Sequence, residues 1–268
     1  MGFNVDPNRI ALPRGRVAFA RKSAAGVLGP YLHLGNCSQL DFATIGDDIA
    51  EITDFSSNTS TPMARIPKSR KPEFPIKLYE ANPDNLALVF MGAPPSELTQ
   101  VATPITGEVM LGGAKVGALY QTAKYGPISA ITLTVGVTTA VVTTNYVVRD
   151  VNLGIIELVA LPGSEVEGAT VTINYTPTAR TTGNGFKQIL GGGVSRIEGR
   201  LKYFGTSNQG PRHQLDIWNC AIASDGNYPF LATDPAEFGL KVNVLADANF
   251  ADLFRLTELS NGSGAPFA

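Results

Sequence analysis

One stretch of this chain, Asn82 to Gly92, carries a convincing long helix signal, so nearly every other backbone group must find its partner in sheet. Asn82 can cap a helix start, and Pro83 stands in the first turn, where a missing amide costs nothing. Asp84 puts a carboxylate near the positive end of the helix dipole. Leu86, Val89 and Phe90 recur at helical spacing. Gly92 suits a left-handed C-terminal position, and Pro94 and Pro95 forbid continuation. A short apolar helix beside so much sheet is expected to cover one open face of it.

The strands sort into three groups. Before the helix, Val27 to Ala43 reads as two strands around a turn at Gly35-Asn36, Asp48 to Phe55 as a third and Glu73 to Glu80 as a fourth. Ser56 to Pro72 between them reads as a long loop, polar first and then basic, punctuated by Pro62, Pro67 and Pro72. From about Gln100 to Ala179 the chain turns poor in charge and rich in Val and Thr, with strands at the short spacing of a sandwich and clear alternation in Val171, Ile173 and Tyr175. Arg180 to Gly193 reads as a glycine-rich linker, after which strands resume to Leu259, with one capped helical turn expected at Asp234-Pro235 to Glu237. The late strands have no helix of their own. The economical arrangement is therefore a discontinuous domain of residues 1–99 and 181–268, with residues 100–180 inserted as a small all-β sandwich. The first 22 residues, with Arg9, Arg14 and Arg16, read as an extended basic arm able to pack on a neighbouring subunit.

Composition narrows the classes of function. A formal charge of −2 argues against a general nucleic-acid or membrane-surface binder. Charged residues make up only 16% of the chain, so its surface is either built from Thr, Ser, Asn and Gly or partly buried by other subunits, the second being the favoured reading. Cys37 and Cys220 lie far apart and suggest neither a disulfide framework nor a zinc site, which fits synthesis in a cytoplasm. Met1 to Lys22 lacks the apolar core of a signal peptide, and no apolar run would span a bilayer as a helix.

The search for chemistry yields no catalytic set, cofactor cradle or metal site. His33 and His213 sit in strand patterns with no partner at ligand spacing. Cys37 follows His33 closely, but no third orienting group is identifiable. The glycine clusters lack the Lys-Ser/Thr ending of a phosphate loop. Trp218, in an apolar strand, is expected to pack in the core. The most suggestive cluster is the basic loop with Arg65, Lys68, Arg70 and Lys71. It could meet an acidic surface on another copy, namely Asp47, Asp48, Glu51 and Asp54.

Several stretches in order resemble phage tail tube (major tail) proteins. They are Leu34-Gly35-Asn36 through Leu40-Asp41-Phe42, the charged strand Asp48 to Asp54 with its long loop, and Phe74 to Gly92 including Asn85-Leu86-Ala87-Leu88. Further on come Tyr146 to Asp150 and Leu153 to Ile156 in an immunoglobulin-like insert, then Gly199 to Gly210 and Phe238 to Ala246. The resemblance implies a mainly β protomer, a tail-tube-type sandwich or barrel with one flanking helix. Six such protomers form a ring with sheets joined across subunits, and rings stack into a hollow tube. It implies a tape-measure protein and then transiting DNA in the lumen, tail terminator and distal tail proteins at the ends, and no cofactor. The location implied is the virion tail, after assembly in the bacterial cytoplasm. An outward-projecting insert fits a non-contractile, siphovirus-like tail and could touch carbohydrate. An all-β carbohydrate-binding adhesin and a secretion-system tube protein are the alternatives.

Overall fold

The computed structural model describes residues 13–54, 61–206 and 211–259. The protein is mainly β, with 52% of residues in strands and 3% in helix, so sheet pairing carries far more of its backbone hydrogen bonding than helix does. In chain order the elements are β1 (Gly15–Lys22), β2 (Leu28–His33), β3 (Cys37–Leu40), β4 (Ala43–Asp54), β5 (Thr61–Leu78) and α1 (Pro83–Val89). There follow β6 (Ser96–Leu98), β7 (Ile105–Val109), β8 (Leu119–Gln121), β9 (Ile128–Val135), β10 (Thr138–Thr139), β11 (Tyr146–Asp150), β12 (Ile155–Leu158), β13 (Val171–Pro177) and β14 (Phe186–Gln188). The chain closes with β15 (Ile197–Gly205), β16 (Arg212–Asp225), β17 (Phe238–Val244) and β18 (Phe254–Leu259). Two compact units result, one of Met1–Pro95 with Ile189–Ala268 and one of Ser96–Gln188.

The first unit is built on one nine-stranded sheet with the path β2-β1-β15-β16-β17-β5-β3, β4 pairing with β5 and β18 with β16. The two ends of that path are consecutive in sequence. Only Leu34, Gly35 and Asn36 separate His33 of β2 from Cys37 of β3, a span of at most about 14 Å. The sheet must therefore curl until its edges nearly meet, yet it does not close into a barrel. Gly35, at φ 76°, makes the bend between the edges rather than a hairpin turn, because β2 and β3 do not pair. One apolar cluster fills the inside and draws on every strand of the path but β2 and β3 for its buried members, among them Phe19, Ile76, Leu201, Ile217 and Leu240.

Helix α1 sits at the seam. Asn82 caps it, its side chain accepting from the Asn85 amide at 2.8 Å, with Pro83 in the first turn. The buried face is Asn85, Ala87, Leu88 and Val89, while Leu86 stays half-exposed, which shifts the apolar stripe from the one the spacing suggests. The helix ends in a Schellman motif, in which the Gly92 amide donates to Ala87 O at 2.8 Å and the Met91 amide to Leu88 O at 3.3 Å. Met91, at φ 49°, takes the left-handed position expected of Gly92. Gly92 is glycine for another reason: a Cβ there would lie 2.7 Å from the Leu190 carbonyl oxygen. Gly92→Ala should therefore destabilise this unit by about 1–3 kcal/mol, as overpacked sites do, measured by urea unfolding followed by the fluorescence of Trp218, the chain's single tryptophan.

Three local expectations are corrected in this unit. Residues 15–22 of the supposed arm form β1, with Val17 to Ala20 buried and registered along β15 from Gly15↔Gly205 to Arg21↔Gly199. Asp234 to Glu237 form no helical turn, and the Glu237 carboxylate instead accepts from the Ser38 hydroxyl at 3.0 Å. Trp218 lies outside the apolar core, half-buried and stacked in parallel on Phe250 at 4.0 Å, with the Arg255 guanidinium 5.0 Å from its ring.

Two residues before Trp218 on β16, Asp216 is 1% exposed and bonded by Arg255 at 3.0 Å and by Gln214 at 3.2 Å, with Lys202 at 3.5 Å. Burial alone would push its carboxyl up; the bonds from Arg255, Gln214 and Lys202 outweigh burial and hold it below the usual carboxylate range. A group depressed on folding adds stability above its unfolded value, about 3.9, and loses it as pH falls through the lower folded value. Acid unfolding read at Trp218 should therefore be less steep below about pH 4 in Asp216→Asn, and that variant should be less stable than the parent at pH 7.

The second unit packs a four-stranded sheet, β10-β9-β13-β7, and a three-stranded sheet, β11-β12-β8, around a shared apolar core. The alternation in β13 sends Val171, Ile173 and Tyr175 inward, each no more than 1% exposed. The unit's bounds fall outside residues 100–180 because β6 and β14 pair with each other, Phe186↔Leu98 to Gln188↔Ser96. The glycine-rich stretch read as a linker therefore contains a strand.

Candidate assembly surface

The charged residues singled out in the sequence lie on one long hairpin. The basic stretch read as a loop is, over residues 61–71, the first part of β5, and it pairs with β4. Prolines 62 and 67 are compatible with it because a strand with a free edge can leave one side without amide donors. The register makes Asp47 the backbone partner of Arg70, Glu51 that of Arg65, Asp48 that of Ser69 and Asp54 that of Thr61. Lys71 pairs with Gly46, and Lys68 lies between the paired Pro67 and Ser69. Acidic and basic residues expected to meet between copies thus already lie opposite each other within one chain.

Above Glu73, β5 is joined on its other side by β17; below it, among the described residues, only β4 pairs with β5. Residues 46–54 and 61–71 therefore extend beyond the sheet as a two-stranded ribbon, about 30 Å long at the usual rise of a strand. Its root is held by a trio of rings, Phe42, Phe74 and Phe254, with centroids 5.1–5.7 Å apart. Directly opposite residues of an antiparallel pair share a face, so the pairs Ala50↔Ile66 and Ile52↔Ala64 make one apolar face. That face is bare: Ile52 is 47% and Ile66 50% exposed. A two-stranded ribbon is at best marginally stable by itself in water.

A second unsatisfied feature lies at the seam. The Leu34 amide donates to Val17 O at 2.9 Å, which by antiparallel alternation turns the main-chain groups of Tyr31 and His33 away from β1. No described strand pairs with that outer edge of β2. Beside it runs a groove of about 1150 Å³, lined among others by Phe19, Leu28, Leu32, Ala87, Leu88 and Pro94.

The remaining site candidates are placed as follows. Arg9 lies outside the described residues. The Arg14 carbonyl accepts from the Thr206 amide at 2.7 Å and from the Tyr203 hydroxyl at 3.0 Å, and Arg16 pairs with Phe204, so both are tied to β15. His33 Nδ1 accepts from the Gly35 amide at 3.0 Å. Burial pushes the Cys37 thiol up to about 11 and that of Cys220 up to about 12, so neither carries an appreciable thiolate fraction at neutral pH. Both thiols should resist a disulfide-exchange reagent at pH 7.5 until this unit unfolds, and rapid labelling of native protein would contradict that placement. Among the described residues no group of His, Cys, Asp and Glu could hold a metal ion, and no helix is long and apolar enough to cross a membrane.

The geometry defines a mainly β protein of two units, one of which exposes an open strand edge and an unsupported ribbon. The chain belongs to the family described as "protein of unknown function UCP028589", matched over residues 11–252. No curated protein matches the chain.

Proposed function

We propose that this chain is a structural protein that assembles with copies of itself into a hollow phage tail tube. The observation that carries the proposal is the β4–β5 ribbon, which has a bare apolar face and, among the described residues, no third strand. Such a ribbon gains its missing partners from another molecule, and a tube of stacked rings supplies them at every position.

Charge favours a particular joint. β4 carries Asp47, Asp48, Glu51 and Asp54 and no cation, whereas residues 15–34, the β1–β2 hairpin, carry Arg16, Arg21 and Lys22 and no carboxylate. In the proposed ring the free edge of β4 in one copy adds to the open edge of β2 in the next, so neither edge stays bare. The order of segments that resembles tail tube proteins supports the same function, as does the low overall charge. The tail in this reading is flexible and non-contractile, and its lumen holds first a tape-measure protein and then DNA.

Opposite charge steers such contacts and is screened by salt. Assembly followed by light scattering should therefore be fastest at low ionic strength and slow progressively with added NaCl. Assembly indifferent to salt would argue against the acidic-to-basic joint.

A further inference from the structure

The loop between β16 and β17 holds two large apolar side chains out in solvent, Phe230 at 79% and Leu231 at 96% exposed. The pair is pinned rather than loose. The Phe230 ring stacks in parallel on Phe90 at 5.8 Å and meets Tyr228 edge-on at 5.1 Å. Tyr228 in turn packs at 5.6 Å on Phe238, a core residue that is 2% exposed. A chain of rings thus ties the tip of the loop to the core. Apolar side chains ordered in advance lose little freedom when a partner covers them.

The groove beside β2 is the matching cavity on the same molecule. At about 1150 Å³ it exceeds the roughly 300–1,000 Å³ of a small-molecule pocket, so it has room for a segment of chain. The two features are opposite in charge. From Asp225 to Glu237 the loop carries Asp225, Asp234 and Glu237 and no cation. At the groove, Lys22 and Arg196 share one carboxylate, Glu198, at 3.8 and 2.9 Å. Arg21 donates to Gly92 O at 2.7 Å and, among the described residues, forms no ion pair. The two features also lie at one end of the sheet. β16 ends at Asp225, where the loop begins, and Ile197, which lines the groove, pairs with Ile222 of β16. A neighbour rotated about an axis along the strands can therefore bring its loop to the groove without being inverted.

We infer that Phe230 and Leu231 of one copy insert into the groove beside β2 of the next, with the loop's carboxylates facing Arg21. Knob and groove are different surfaces of one chain, so the contact is heterologous and repeats from copy to copy around a ring. The contact deepens the tube reading and rests on it for the self-association it requires, placing a second contact beside the β4-to-β2 joint.

Cross-linking tests this on the full chain. Leu231→Cys and Leu32→Cys variants are mixed under assembly conditions, oxidised mildly and run on a non-reducing gel, with the parent as control for Cys37 and Cys220. A dimer joining the two variants is expected, because a disulfide forms only where the Cα atoms come within about 7 Å. Neither variant alone should dimerise. In parallel, Leu231→Asp should raise the concentration needed for assembly about tenfold without altering the melting temperature, because Leu231 packs on little within one molecule. Tubes that form without the mixed dimer, a dimer from Leu231→Cys alone, or undiminished assembly of Leu231→Asp would each overturn the contact while leaving the tube reading intact. A mixed dimer in particles other than rings or tubes would uphold the contact and overturn the tube reading. A parent that neither assembles nor cross-links in the mixture would overturn both.

Discussion

Asn85→Ala should be among the most destabilising substitutions in the discontinuous unit, although Asn85 lies on a short surface helix. Its side chain is 1% exposed and donates to Leu34 O and to Glu80 O, both at 2.8 Å. Leu34 leads out of β2, one edge of the curled sheet, and Glu80 follows β5, which carries the other edge strand, β3. A single amide therefore ties both sides of the seam to α1. Truncation leaves two carbonyls short of donors and a hole beside Leu88, so a loss of about 3 kcal/mol is expected, or about 6–12 °C in Tm for a unit of this size. Trp218 fluorescence during urea unfolding gives the value without interference from the inserted unit, which has no tryptophan. A loss below about 1 kcal/mol would mean the seam is held by apolar packing alone.

The second large effect is on assembly rather than stability. Ile52 and Ile66 are half-exposed on the ribbon, so replacing both with Asp removes little packing within one molecule. The Trp218 unfolding midpoint should shift by less than about 0.5 kcal/mol in free energy. Burying two carboxylates in an intermolecular contact is prohibitive, however, so Ile52→Asp with Ile66→Asp should stay monomeric at concentrations where the parent assembles. Sedimentation velocity separates the two outcomes. Assembly equal to the parent's would place the apolar face in solvent in the final particle and remove the main support for the tube.

How much of this was legible beforehand depended on whether local chemistry or long-range register decided the outcome. The helix start was legible because Asn82, Pro83 and Asp84 act within one turn. Its end was not, because the choice of Gly92 answers to the Leu190 carbonyl from a distant part of the chain. The insert was legible from alternation, since Val171, Ile173 and Tyr175 face a core on one side only. The ribbon stayed hidden behind Pro62 and Pro67, which read as loop signals but are compatible with a strand that has a free edge. β1 stayed hidden because Arg16, Arg21 and Lys22 flank its apolar centre and made it resemble a basic arm. For the charged cluster, the residues were identified but their geometry was not: pattern alone could not tell that Glu51 and Arg65 belong to the same hairpin.

The most direct measurement is negative-stain electron microscopy of the purified, concentrated chain, paired with its sedimentation profile. Rings or hollow tubes, absent in the Ile52→Asp, Ile66→Asp variant, are the expected result. A single monomeric boundary at every concentration and ionic strength, with no particles larger than one chain, would contradict self-assembly as the purpose of the open β2 edge and the bare ribbon.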